Sequence, residues 1–135
     1  MTDDTTLTGV WNGLYSYSNA VQPESPFTAV LFDTAGRLSG TIHETMMLTG
    51  GRSTEASAFV DGMASATHVA FSKTYDGTNG QTHTVTYDGQ LSGDAGEIEG
   101  AWQVRTAWGL LTGRFLMIRA RRAVKSTETR VTEKA

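Results

Sequence analysis

The stretch from Glu97 to Ala120 reads EIEGAWQVRTAWGLLTGRFLMIRA. Small and apolar residues recur there at every second position: Ile98, Gly100, Trp102 and Val104, then Leu111, Gly113, Phe115 and Met117. Alternation with period two marks a strand with one buried face; a helix would repeat at about 3.6. The gap around Trp108 is too short for a parallel crossover, so the two runs are predicted to pair antiparallel.

The same pattern extends outward to the rest of the chain. Fifteen glycines and two prolines punctuate short runs rich in Thr, Val, Tyr, Phe and Ile. Eight strands are predicted, at Leu7–Ser18, Phe27–Asp33, Arg37–Met46, Glu55–Asp61, Thr67–Tyr75, Gln81–Ser92, Glu97–Thr106 and Leu110–Ala120. No stretch sustains apolar residues at helical spacing. An all-β fold follows, and eight meandering strands have a closed solution in an up-and-down antiparallel barrel, which leaves no exposed edge. An open two-sheet sandwich is the rival.

The chain has 135 residues, enough for one core, so residues 1–120 are expected to form a single domain. The segment 121–135 lacks an apolar stripe and is expected to be a disordered tail. There Arg121, Arg122, Lys125, Arg130 and Lys134 outnumber Glu128 and Glu133, so the barrel is more acidic than the net charge of −3 suggests. An acidic body argues against nucleic-acid or anionic-membrane partners. The absence of cysteine excludes disulfides, thiolate chemistry and cysteine zinc sites. The polar, acidic start at Met1–Thr6 predicts a cytoplasmic location rather than secretion. No phosphate-binding loop, dinucleotide fingerprint or hydrolase motif is present, so no cofactor is implied.

One anchor per strand settles which side chains face inward. Strand one turns Trp11, Gly13, Tyr15 and Tyr17 inward, strand three Leu38, Gly40, Ile42 and Glu44, and strand five Val69, Phe71, Lys73 and Tyr75. Strand six contributes His83, Val85 and Tyr87. Strands two and four carry apolar residues on both faces and stay ambiguous. If strand one rises from a closed base to an open mouth, Tyr17, Glu44, Lys73, Tyr75, His83 and Thr106 converge at the mouth. Trp11, Leu38 and Arg119 gather at the base. The longer connections, Asn19–Pro26 and Met47–Thr54, also fall at the mouth, where lids usually lie.

Gly9-Val10-Trp11 is a G-x-W near the start of strand one, and Arg119 on the last strand is placed to lie across the tryptophan ring. Both are read as structural. This pairing resembles the calycin superfamily, and the length resembles avidin and streptavidin. Gly36–Thr41, Val69–Phe71, Tyr87–Gln90 and Ile98–Trp102 resemble avidin-family segments in the same order. The resemblance implies a ligand-holding barrel. It does not imply biotin, because Gly13, Tyr17, Ile42 and Phe115 stand where that family places polar biotin partners.

Glu44 is the most informative position. An inward carboxylate on an apolar face is costly unless paired or protonated. Lys73 lies at similar height, so either the two form an ion pair, or Glu44 reads a ligand or moves a proton. His83 is the only histidine on an inward parity, and three histidines on different faces argue against a metal site. Tyr15, Tyr17, Tyr75 and Tyr87 would add hydroxyls, while Phe71 and Trp102 would stack on a ligand. Gly13, Gly40, Gly100 and Gly113 either let strands coil tightly around a filled core or leave room for a ligand.

Three functions remain open. The first is a small-molecule-binding barrel whose ligand contacts are Tyr15, Tyr17, Glu44, Phe71, Lys73, Tyr75, His83, Tyr87 and Trp102. The second is a cofactor-independent cyclase or isomerase with Glu44 and His83 as catalytic residues. The third is a filled structural or interaction module. Outward Val10, Leu14, Leu116 and Ile118 form an apolar patch that predicts a homodimer.

Overall fold

The computed structural model describes residues 6–18, 24–47 and 50–120. Eight strands run in chain order: β1 (Gly9–Tyr17), β2 (Ser25–Thr34), β3 (Arg37–Met47), β4 (Ser53–Ala64), β5 (His68–Tyr75), β6 (Thr84–Leu91), β7 (Glu97–Thr106) and β8 (Gly109–Arg119). Each pairs antiparallel with its neighbours, and β8 returns to β1 to close the barrel. The open sandwich is thereby excluded. The tail at 121–135 and most of the expected first mouth loop, at 19–23, lie outside the described residues, as do positions 48–49 of the second.

Two boundaries differ from expectation by three residues, each for a physical reason. β4 runs to Ala64, longer than the alternation suggested, because Arg37 through Met47 offers it a full ladder of partners. β6 begins only at Thr84, so Gln81–His83 fall outside the strand. A short 3₁₀ turn at Thr78–Gly80 shortens the hairpin's upper end.

The ambiguous strands take their parity from their neighbours. Pairing of Gly13 with Phe27 and of Trp11 with Ala29 turns Ser25, Phe27, Ala29 and Leu31 inward on β2. On β4, Ala56, Ala58 and Val60 are buried while Phe59 and Met63 stand in solvent. The outer face of this barrel is thus more apolar than a strict inside-out pattern allows.

The base is plugged. Trp11 is fully buried and its Nε1–H donates to the Leu7 carbonyl at 2.9 Å. The Arg119 guanidinium lies 4.7 Å from the Trp11 ring and donates to the Thr6 carbonyl at 2.6 Å. Above it, Leu31, Leu38, Ile98 and Met117 are buried. The next layer is aromatic: Phe71 stacks on Tyr87 at 4.8 Å, and Phe115 meets the edge of Tyr87 at 4.9 Å.

The glycines serve this filling. A Cβ at Gly13 would run into the Phe27 ring, and one at Gly113 into the Trp102 ring and the Ser16 carbonyl. Gly40 has φ of 147° and a Cβ there would strike the Val30 carbonyl. Of the two readings of these glycines, tight coiling around a filled interior is the one observed.

Candidate functional site

One layer above the aromatic plug, side chains from alternate strands meet across the lumen. Tyr15 comes from β1, Glu44 from β3, and Lys73 and Tyr75 from β5, and all have inward parity. Glu44 and Lys73 are each only 1% exposed. The Lys73 Nζ donates to Glu44 Oε1 at 2.9 Å, and the Tyr75 hydroxyl donates to the same oxygen at 2.9 Å. Tyr15 donates to Oε2 at 2.6 Å. Three donors therefore hold one carboxylate, which meets the requirement that a buried charge be paired and hydrogen-bonded.

The ammonium is also ringed by aromatic faces. Its nitrogen lies 4.7 Å from the Tyr75 ring centre, 4.9 Å from Tyr15 and 5.2 Å from Tyr87. These distances fall inside the ~6 Å range in which a ring quadrupole attracts a cation.

Burial dominates the titration of this layer. It pushes the Lys73 pKa down, against the opposing pull of Glu44. It pushes the Tyr15, Tyr75 and Tyr87 hydroxyls above their ordinary value, and the Glu44 charge adds to that. The tyrosines thus remain neutral donors through the physiological range. His83 is lowered by partial burial and by Lys73.

A cavity of about 60 Å³ opens above this layer. Lys73, Tyr75 and Tyr87 form part of its floor and wall, with Tyr15, Tyr17 and Trp102 beside them. Val85, Val104 and Leu111 supply an apolar side. Tyr17 and Trp102 meet edge to face at 5.2 Å, and the Trp102 Nε1–H is tied to the Ser16 carbonyl at 3.0 Å. His83 sits at the rim, its ring 4.6 Å from Tyr75.

Most of the sequence-derived site residues therefore come together, with exceptions. Glu44 does not line the cavity but lies behind Tyr15, Lys73 and Tyr75. Phe71 belongs to the plug below. Thr106 caps the β7–β8 turn, donating to the Gly109 carbonyl at 2.9 Å. Trp11 and Arg119 sit at the opposite end. Sequence reasoning missed Ser25, which is buried and pairs with Tyr15 across the β1–β2 ladder. Its signal was the pairing of Tyr15 with Ser25, which an ambiguous β2 concealed.

The other histidines face outward, His43 on Glu55 at 2.8 Å and His68 on Asp88 at 3.2 Å. Among the described residues no group of three or more metal-binding side chains is placed to hold an ion.

The class defined by these features is a closed eight-stranded antiparallel barrel, compatible with a calycin-like fold, filled from the base and carrying a small aromatic cavity over a buried ion pair at the other end. Comparison with protein-family models finds no match, and comparison with curated proteins finds none either.

Proposed function

We propose that this protein is a small-molecule-binding β-barrel of calycin type, not specific for biotin, which holds its ligand at the open mouth. The observation that carries this reading is the cavity that Lys73, Tyr17 and Trp102 line together. Ligand sites are typically apolar and aromatic with a few placed polar groups, and this cavity has that composition. Its size sets the mode. A cavity of ~150 Å³ takes up benzene whole, so about 60 Å³ accommodates the head of a ligand whose remainder projects outward. Biotin is disfavoured because Ile42 and Phe115 are buried apolar residues at positions where polar partners would be needed.

A cyclase or isomerase reading asks Glu44 to move a substrate proton. Both of its oxygens are engaged by Tyr15, Tyr75 and Lys73, which favours binding over that role. Native mass spectrometry of gently purified protein tests the proposal. A stoichiometric small-molecule adduct, lost in Tyr17→Ala or Trp102→Ala, is the expected result. Binding that survives both substitutions would sink it.

The dimer belongs to the same proposal. Val10 and Ile118 are 43% and 46% exposed, and Leu14 pairs with Leu116 across the β1–β8 seam. A single monomeric species in ultracentrifugation at micromolar concentration would remove this part alone.

A further inference from the structure

Lys73 is the only lysine of the barrel; the chain's others, Lys125 and Lys134, lie in the C-terminal segment. Among the described residues it is the only charged side chain on the cavity wall apart from what His83 carries when protonated. A buried ion pair is poor evidence of stabilisation, since well-packed apolar residues often serve as well. This pair is better explained by where its lysine lies. One N–H of Lys73 is directed to Glu44, and the Lys73 side chain is also part of the lining of the mouth cavity.

We infer that Lys73 is a covalent capture site for aldehyde ligands, held as a protonated imine with Glu44 as counter-ion. The inference rests on the mouth cavity being the ligand site. Four steps balance the chemistry. Lys73 passes a proton to the Glu44 carboxylate, 2.9 Å away. The freed lone pair forms a C–N bond to the carbonyl carbon as the C=O π pair moves onto oxygen. That oxygen takes one proton from the nitrogen and a second from the Tyr75 hydroxyl, which lines the cavity and is re-protonated in turn by Glu44 at 2.9 Å. The oxygen leaves as water while the nitrogen lone pair closes the C=N bond. The ammonium and carboxylate are replaced by an iminium and a carboxylate, so net charge is unchanged and no oxidant or reductant is required.

The surroundings suit the product as well as the reactant. An iminium keeps one N–H, enough to retain the hydrogen bond to Glu44. It keeps the positive charge too, so the faces of Tyr15, Tyr75 and Tyr87 attract it as they attract the ammonium. Desolvation in an apolar pocket is a recognised way to activate a lysine amine, and burial does lower the Lys73 pKa. The narrow cavity favours an aldehyde over a ketone, because an aldehyde carbon carries only one substituent.

The test uses the full chain with benzaldehyde and with propanal, each with sodium cyanoborohydride at neutral pH, followed by peptide mapping. Lys125, Lys134 and the N-terminal amine are internal controls. A lowered lysine pKa raises the free-base fraction at neutral pH, so Lys73 is expected to be alkylated faster than the tail lysines. Labelling of Lys73 no faster than theirs, with both aldehydes, overturns the inference. Benzyl alcohol, which cannot form an imine, separates the two claims. If it quenches Trp102 fluorescence saturably, with Trp102→Phe as control, while Lys73 stays unlabelled, the cavity reading stands and covalent capture falls. If neither occurs, both fall.

Discussion

The two ends of the barrel each set a cation against aromatic rings, and they use it differently. At the base, Arg119 lies over Trp11 and reaches the Thr6 carbonyl. A guanidinium stays charged in any protein environment, so this contact fastens the last strand and the N-terminal segment to the plug. At the mouth, Lys73 lies among Tyr15, Tyr75 and Tyr87 and is tied to a carboxylate. An ammonium can lose its proton and burial encourages that. The same type of contact is a fastening where the cation cannot titrate and a chemical resource where it can. The filling differs in parallel: Trp11, Leu31, Leu38, Ile98 and Met117 are buried towards the base, whereas the mouth keeps about 60 Å³ open.

The comparison is most directly broken by removing Glu44. Glu44→Ala strands a buried ammonium and is expected to cost ~3–5 kcal/mol in urea unfolding. Arg119→Met at the base forfeits a ring contact and a hydrogen bond, about 1–3 kcal/mol. A larger loss from Arg119→Met would reverse the assignment of which end is electrostatically critical. The double variant Glu44→Leu with Lys73→Met should recover most of the stability lost in Glu44→Ala, because it leaves no unpaired charge. Failure to recover would mean that packing, not charge, governs the mouth.

How far the molecule was legible in its sequence follows this division. Six strands declared their inner face through one unambiguous alternation, and closure followed from their number and short connections. β2 and β4 did not, because Val30, Phe32, Phe59 and Met63 put apolar residues on the outside; only register against β1 and β3 decides them. Glu44 and Lys73 were visible as charges at apolar positions. That Tyr15 and Tyr75 grip the same carboxylate was not, because β1, β3 and β5 are not neighbours and their side chains meet only across a lumen of particular width. The filled interior was equally hidden. Periodicity locates Gly113, but the ring of Trp102 lying over it is a matter of volume.

Within the mouth, Tyr75→Phe removes one donor to a charged acceptor and is expected to cost ~1.5–3 kcal/mol. An effect below half a kcal/mol would show that Tyr15 and Lys73 alone satisfy Glu44. Beneath it, Gly113→Ala tests the filled interior. The new methyl meets the Trp102 ring and the Ser16 carbonyl, for an expected loss of ~1–3 kcal/mol from overpacking. Gly93→Ala, where a Cβ would meet nothing, is the control and should fall within ~0.5 kcal/mol of the parent. Equal tolerance of both would mean that the interior is looser than these contacts require.

The smallest effect is the most specific to the mouth. Lys73 has a folded-state pKa below its ordinary 10.5. Between the two values the unfolded chain holds a proton that the folded chain has released, so stability rises with pH across that window. Above the ordinary tyrosine value of 10.0 the sign reverses. Unfolded tyrosines then ionise while Tyr15, Tyr75 and Tyr87 stay protonated in the fold, and stability falls. His83, also lowered, adds a rise of its own that is complete once pH exceeds its ordinary 6.5. Denaturant midpoints measured from neutral to alkaline pH should therefore climb and then decline, with the climb limited to about 1.4 kcal/mol per pH unit for one proton. Lys73→Met should abolish the climb and keep the decline, whereas Arg119→Met should keep both. A climb that persists without Lys73 would place the titrating group elsewhere and erase the distinction between the two ends.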